Sequence, residues 1–252
     1  MKPAGSAHGG ENDGEDVLGT REDGARPGTK ESPEDKVYRA LFEGILDHRL
    51  PPGTKLKEVP LAEAFGVTRG VIRKVLGRLS TAKVVHLRSQ HGATVAAPSL
   101  EEVAEIFAAR RLVESFVAER LSGSMSARQI KEIRALIQQE RKAYQAGDVK
   151  TGIKLSAEFH IRLADYAGNK LLTEFLRQLV YQTPLIFLTH GEPGKNVSCS
   201  EHEHLDILSA LVEGDRELAV ARTAAHLNHL ESHVVPHVEK PSSDLARMLG
   251  LG

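Results

Sequence analysis

The 252-residue sequence predicts a mainly α protein in two parts: an N-terminal winged helix-turn-helix with a small β-hairpin wing, then an all-α bundle of six helices. Three observations predict this. Residues 1–35 carry 4 Lys/Arg against 9 Asp/Glu, residues 36–98 carry 11 against 4, and the rest 18 against 21, so the net charge of −1 conceals a basic module between two acidic segments. Apolar residues recur at helical spacing through most of the chain. The β-type runs 83–88 and 93–97, around "SQHG", close the basic module, and no sheet signal follows Pro98.

The opening residues 1–31 are acidic, Gly-rich and nearly free of apolar side chains, which predicts a disordered tail. A helix over 33–48 follows, capped by Ser32 with Pro33 at its first position, and "RLPPGTKL" stops it. "VPLAEAFGV" predicts a short helix ending at Gly66, and after a tight turn Thr68 caps the next. That helix, in "GVTRGVIRKVLGRL", gathers Val71, Ile72, Val75, Leu76 and Leu79 into a sector of about 140°. Arg69, Gly70, Arg73, Lys74, Gly77 and Arg78 fill the other side. Each helical glycine costs about 1 kcal/mol against alanine, so two of them among four cations predict a surface that something approaches closely. Two helices around a Gly-containing turn, the second basic outside, with a hairpin behind it, are the parts of a helix that enters the DNA major groove. Small residues there let the backbone near phosphates, and long cations reach phosphates or guanine edges.

Beyond the winged domain, placed at 32–98, capping pairs Ser99/Glu102, Ser126/Gln129 and Ser198/Glu201 and the breaks "AGD", "AGN", "HGEPGKN" and "EGD" predict helices over 99–122, 126–145, 148–167, 170–190, 198–213 and 215–237. The helical domain is placed at 99–238, with a short tail over 239–252. The single cysteine, Cys199, excludes an internal disulfide and a cysteine zinc cluster. No apolar run reaches the roughly 18 residues of a membrane span and no signal peptide opens the chain, which predicts a cytoplasmic protein.

The pattern Pro51-Pro52-Gly53, Leu61-Ala62-Glu63, Gly66-Val67-Thr68-Arg69, Arg73 and "HGATV" resembles the GntR family of bacterial transcription regulators, and "TR…R" with "QHG" resembles its FadR branch. The resemblance implies DNA contacts from Thr68, Arg69, Gly70, Arg73, His91 and Gly92, and Lys74 on the same face is assigned to phosphate. Two departures, Val71 for a common Pro and Val59 for an arginine that often reads the groove, predict a different operator.

"AEIFAARRLVES", "EFHIRLADYAGN", "EHLDILSALVEGD" and "ARTAAHLNHL" resemble the FCD ligand-sensing domain of one GntR branch. That domain holds a metal with Asp-x-x-x-His on one helix and one histidine from each of the last two. Here these are His160, His204 and His226, which helical spacing independently turns inward, and neutral imidazoles in an apolar cavity suit zinc or another divalent ion. The aspartate is replaced by Ser156, so a water or an effector carboxylate would complete the set. His202, His229, His233 and His237 are assigned to helix surfaces, with His233 on the face of His226. Arg110 matches an arginine that faces the effector cavity in related domains, where it would grip a carboxylate in a two-pronged hydrogen bond; the other reading pairs it on the surface with Glu114.

Together these predict a homodimeric, ligand-responsive regulator, a repressor rather than an enzyme, that binds double-stranded operator DNA and a small organic acid. Two alternatives stand beside it: a metal-free pocket for an acyl chain, and a three-histidine zinc hydrolase, against which no general base is apparent, Glu158 pointing away from the histidines.

Overall fold

The computed structural model describes residues 32–88, 92–191 and 202–234. The expected tails at 1–31 and 239–252, together with His91, Cys199 and His237, lie outside the described residues. Helix α1 (Pro33–Leu46) starts as its sequence dictates, with Ser32 Oγ accepting from the Asp35 amide at 3.1 Å and Pro33 at the first position. Strand β1 (Lys55–Leu56) leads into α2 (Glu58–Phe65), which ends on Gly66 in the left-handed region at φ 62°. Thr68 then caps α3 (Arg69–Thr81), and β2 (Val85–Arg88) and β3 (Gly92–Val95) form the wing.

β1 corrects the expected two-stranded wing. It pairs antiparallel with β3, Lys55 opposite Thr94 and Leu56 opposite Ala93, giving a three-stranded sheet in the order β1-β3-β2. Two residues are too few to show strand alternation, so only the pairing reveals them. The pairing also fixes Gly92, whose φ is 103° and whose Cβ, were there one, would stand 2.0 Å from the Leu56 carbonyl oxygen. Val37, Leu41 and Ile45 of α1 pack on Ile72, Val75 and Leu79 of α3 and on Val85 and Val95 of the wing.

The helical part comprises α4 (Leu100–Leu121), α5 (Ala127–Gln145), α6 (Val149–Ala167), α7 (Lys170–His190), α8 (Glu203–Glu213) and α9 (Arg216–Ser232). The capping boxes at Ser99/Glu102 and Ser126/Gln129 form with both reciprocal hydrogen bonds. The third, at Ser198/Glu201, lies outside the described residues, and α8 starts at Glu203. Helix α9 stops at Ser232, short of the expected 237, because Val234 leaves the helix to form an antiparallel bridge with Gly191. The bundle core is built from Val113, Val117, Ile133, Ile137, Phe159, Leu163, Leu176 and Leu208.

Helix α7 belongs to both cores. Leu176 and Val180 sit in the bundle, Leu185 is buried in the core of the winged part, and Tyr181 meets Phe42 of α1 edge-on with centroids 4.9 Å apart. Lys154 of α6 adds an ion pair to Asp47 at 3.0 Å. No helix among the described residues is long and apolar enough to cross a membrane.

Candidate functional site

The first candidate surface is the outer face of α3. Thr68, Arg69, Gly70, Arg73 and Lys74 are all exposed there. Two arginines share one acceptor: Glu58, at the start of α2, takes hydrogen bonds from Arg73 Nε (3.1 Å) and Nη2 (2.9 Å) and from Arg69 Nη2 (3.2 Å). The bonds from Arg73 and Arg69 hold the Glu58 carboxyl below its ordinary range, and Glu58 in turn raises the Arg73 guanidinium. Arg78 turns away, donating to Asp35 at 2.9 Å and Glu34 at 3.3 Å and lying 4.3 Å over the Tyr38 ring, so this cation joins α3 to α1.

Among the described residues, nothing in the fold calls for glycine at two positions of α3. A Cβ on Gly77 would meet nothing within 4 Å, and one on Gly70 only Thr68 Oγ1 at 3.7 Å. Gly92 differs: it is buried, and the Leu56 carbonyl alone accounts for it.

The second candidate site lies inside the bundle. His160 from α6, His204 from α8 and His226 from α9 are buried and offer ring nitrogens all within 4.8 Å of one another. Each imidazole is held from behind by a carboxylate on Nδ1: Glu114 of α4 on His160 at 2.6 Å, Glu140 of α5 on His204 at 2.7 Å, and Glu203 of α8 on His226 at 2.8 Å. The Phe159 ring stacks on His204 with centroids 4.0 Å apart. Burial holds both His160 and His226 below the usual imidazole range, His226 down to about 3, which favours the neutral ring.

A neutral imidazole that donates Nδ1–H to a carboxylate has a bare lone pair on Nε2. Nε2 of His226 and Nε2 of His160 face each other at 3.2 Å, and with Nδ1–H given to the carboxylates both would be acceptors. Two nitrogens each bound to a tetrahedral zinc at 2.0–2.1 Å stand roughly 3.3 Å apart. Donor type, spacing and carboxylate backing therefore fit a divalent cation.

Beside His160 is a cavity of about 40 Å³ lined by Arg110, Tyr144, Ser156, His160, Thr183 and Phe187, among others. The structure combines the two readings of Arg110. It does pair with Glu114, Nε to Oε1 at 2.7 Å, but it is buried, not on the surface, and its Nη1 donates to Thr183 Oγ1 at 3.0 Å. Its Nη2 is buried with no partner among the described residues. Glu114 thus links Arg110 to His160, and although burial opposes it, the Arg110 charge with the hydrogen bonds from both side chains keeps the Glu114 carboxyl below the usual range.

Of the other histidines, His202 is exposed as expected, but His229 and His233 are half-buried rather than on the surface: His229 Nδ1 is buried 2.7 Å from Glu203, and His233 packs its ring on that of His229 at 4.7 Å. Sequence reasoning missed Glu140, Glu203, Thr183 and Tyr144 and placed Glu114 outside. One signal was available: Glu114 and Glu140 fall on the apolar stripes Val113–Val117–Leu121 and Ile133–Ile137, where a carboxylate is buried and needs a partner. Glu158 points away from the histidines, as expected, and pairs with Arg162.

Residues 33–95 match the family of bacterial regulatory proteins, gntR family, and residues 105–229 match the FCD domain. The chain is 26% identical over 212 residues to the HTH-type transcriptional repressor RspR of Escherichia coli, covering 83% of this chain and 91% of that one. It is 25% identical over 219 residues to the HTH-type transcriptional regulator LutR of Bacillus subtilis, covering 78% and 98%. A crystal structure of a putative transcriptional regulator GntR from Rhodococcus sp. RHA1 superposes with a TM-score of 0.70 at 21% identity, over 80% of this chain and 97% of that one. These relatives are transcriptional regulators, not enzymes.

Proposed function

The chain belongs to the GntR family, with an FCD domain behind its DNA-binding domain, and from that premise we propose that it is a cytoplasmic, homodimeric repressor whose operator binding responds to a small organic acid held beside a divalent metal. The observation that carries the sensing half is the pair of Nε2 atoms facing each other at 3.2 Å, each imidazole backed by a buried or half-buried carboxylate. His160, His204 and His226 would hold the ion, zinc by their chemistry. Bound there, it would supply positive charge in a water-poor cavity. Arg110 offers the unpartnered Nη2 to the effector's carboxylate, Thr183 fixes the guanidinium, and Ser156 leaves open the position that an aspartate would fill. The small volume of the cavity, about 40 Å³, favours a short acid over an acyl chain. Titrating short carboxylic acids and a fatty-acyl series with and without chelator tests this: small acids gain affinity with metal, and indifference to chelator would remove the metal from the reading.

On the DNA side, the exposed stripe of Thr68, Arg69, Gly70, Arg73 and Lys74 supports α3 as the recognition helix. His91 and Gly92 would add wing contacts, from the backbone where Gly92 is buried. Repression is suggested by the name of RspR. Dimerisation extends the contact over a two-fold operator. Leu112 and Phe116, one turn apart on α4, and Leu171 and Phe175, one turn apart on α7, are large exposed apolar side chains that suit the subunit contact.

Arg73→Ala is expected to cost about 1–3 kcal/mol on the operator and to relax base preference, whereas Lys74→Ala weakens all sequences alike. Equal losses on operator and random duplex for both variants would withdraw base reading from Arg73. Gly77→Ala should act in opposite senses on two measurements. With nothing within 4 Å of the new methyl, thermal unfolding should show a gain of about 0.5–1 kcal/mol, while operator affinity falls where the bare backbone nears phosphate. A variant that is more stable and binds the operator unchanged would leave the glycine without its assigned reason.

A further inference from the structure

Glu58 is an acid in a basic groove of about 470 Å³ lined by Lys55, Lys57, Arg69 and Arg88, with Val59 and Pro60 beside it. It is 8% exposed and carries no hydrogen bond among the described residues except those from Arg69 and Arg73. A carboxylate here opposes phosphate binding, so its place needs another cause. The geometry of its bonds supplies one. A guanidinium has a side edge, Nε with Nη2, and an end edge, Nη1 with Nη2. Glu58 grips the side edge of Arg73 with bonds of 3.1 and 2.9 Å. The end edge is left free on a side chain that is 66% exposed, and it is this edge whose parallel donors match the O6 and N7 acceptors of guanine.

We infer that Glu58 is a positioning residue for base reading: it fixes the plane and direction of the Arg73 guanidinium before DNA arrives, and it cancels charge that would otherwise bind any phosphate. The inference rests on α3 being the recognition helix. An arginine free to swivel serves phosphate as well as a base edge; one clamped along its side edge loses less freedom on reading a guanine and gains less from a phosphate displaced from that direction. Sequence preference therefore depends on a residue that need not touch DNA.

The test uses full-length protein, a duplex selected from a randomised pool by the wild-type chain, and an unselected duplex, with Glu58→Gln, Glu58→Asp, Arg73→Ala and Glu58→Gln/Arg73→Ala. Glu58→Gln should narrow the affinity ratio of selected to unselected duplex about tenfold, within the roughly 5- to 150-fold worth of one bidentate base contact, while binding the unselected duplex as well as wild type or better. The added net positive charge should steepen the dependence of log K on log salt by up to about 0.9. In the Arg73→Ala background, Glu58→Gln should change the ratio no further, since it acts through that arginine. Glu58→Asp keeps the charge but draws the carboxylate back by one methylene, so the ratio should fall without the rise on unselected DNA; it also keeps the test open if the glutamine variant folds poorly. A preserved ratio in Glu58→Gln and Glu58→Asp, with the ratio collapsed in Arg73→Ala, would overturn the positioning role. A ratio unchanged in Arg73→Ala would instead remove the base-reading assignment beneath it.

Discussion

His226→Ala is expected to abolish divalent-metal binding, and Ser156→Asp to tighten it, both read by metal titration and by the rise in melting temperature that a native-state ligand produces. Second-shell partners of metal ligands typically cost 10–100-fold when removed, so loss of one of three ligands should exceed about 100-fold. His226 is the histidine of choice because its carboxylate partner, Glu203, is 21% exposed and can be rehydrated when the ring is gone. His204→Ala should lose the metal equally but cost more stability in the metal-free protein, since Glu140 is 4% exposed and would be left as a buried carboxylate. Ser156→Asp works in the other direction: the serine lines the same cavity as His160, and an ionised carboxylate there both coordinates the ion and offsets its charge. A His226→Ala protein that takes up zinc with wild-type affinity would dissolve the site.

Arg110→Ala should destabilise the protein by about 3–5 kcal/mol, the cost of breaking a buried pair by removing one partner. For a chain of this size that is a fall in melting temperature of roughly 6–20 °C. The side chain is 1% exposed, and its loss would leave Glu114, 5% exposed, with His160 as its remaining partner among the described residues and Thr183 without its donor. Two additions separate charge from volume. Glu114→Gln in the same chain removes the orphaned charge, so the double variant should be more stable than the sum of the single changes predicts. Arg110→Lys restores a charge but not the fork, so it should recover part of the stability while leaving carboxylate binding weak. A loss under about 1 kcal/mol for Arg110→Ala would show that the Arg110–Glu114 pair is solvated in solution.

Much of the helical architecture was legible because its signals are local. A cap and its amide lie three residues apart, so Ser32, Thr68, Ser99 and Ser126 each marked a helix start that the structure forms. The spacing that turned His160, His204 and His226 inward lay within single helices, and their burial follows from it. What the sequence could not disclose are contacts made by distant residues. The pairing of Glu140 with His204 spans 64 positions and that of Glu203 with His226 spans 23, so neither is visible from one helix alone. The same holds for β1, which is a strand only because β3 lies beside it, and for Gly92, whose need for glycine is set by a carbonyl 36 residues earlier. By itself the sequence determined the helices, their buried faces and the basic character of α3. Tertiary structure decided which buried charge meets which, and it did so because an ionised group out of water must find its counter-charge wherever packing puts one. That is why Arg110 is buried yet paired with Glu114, why each histidine has a carboxylate at its back, and why Arg69 and Arg73 converge on Glu58.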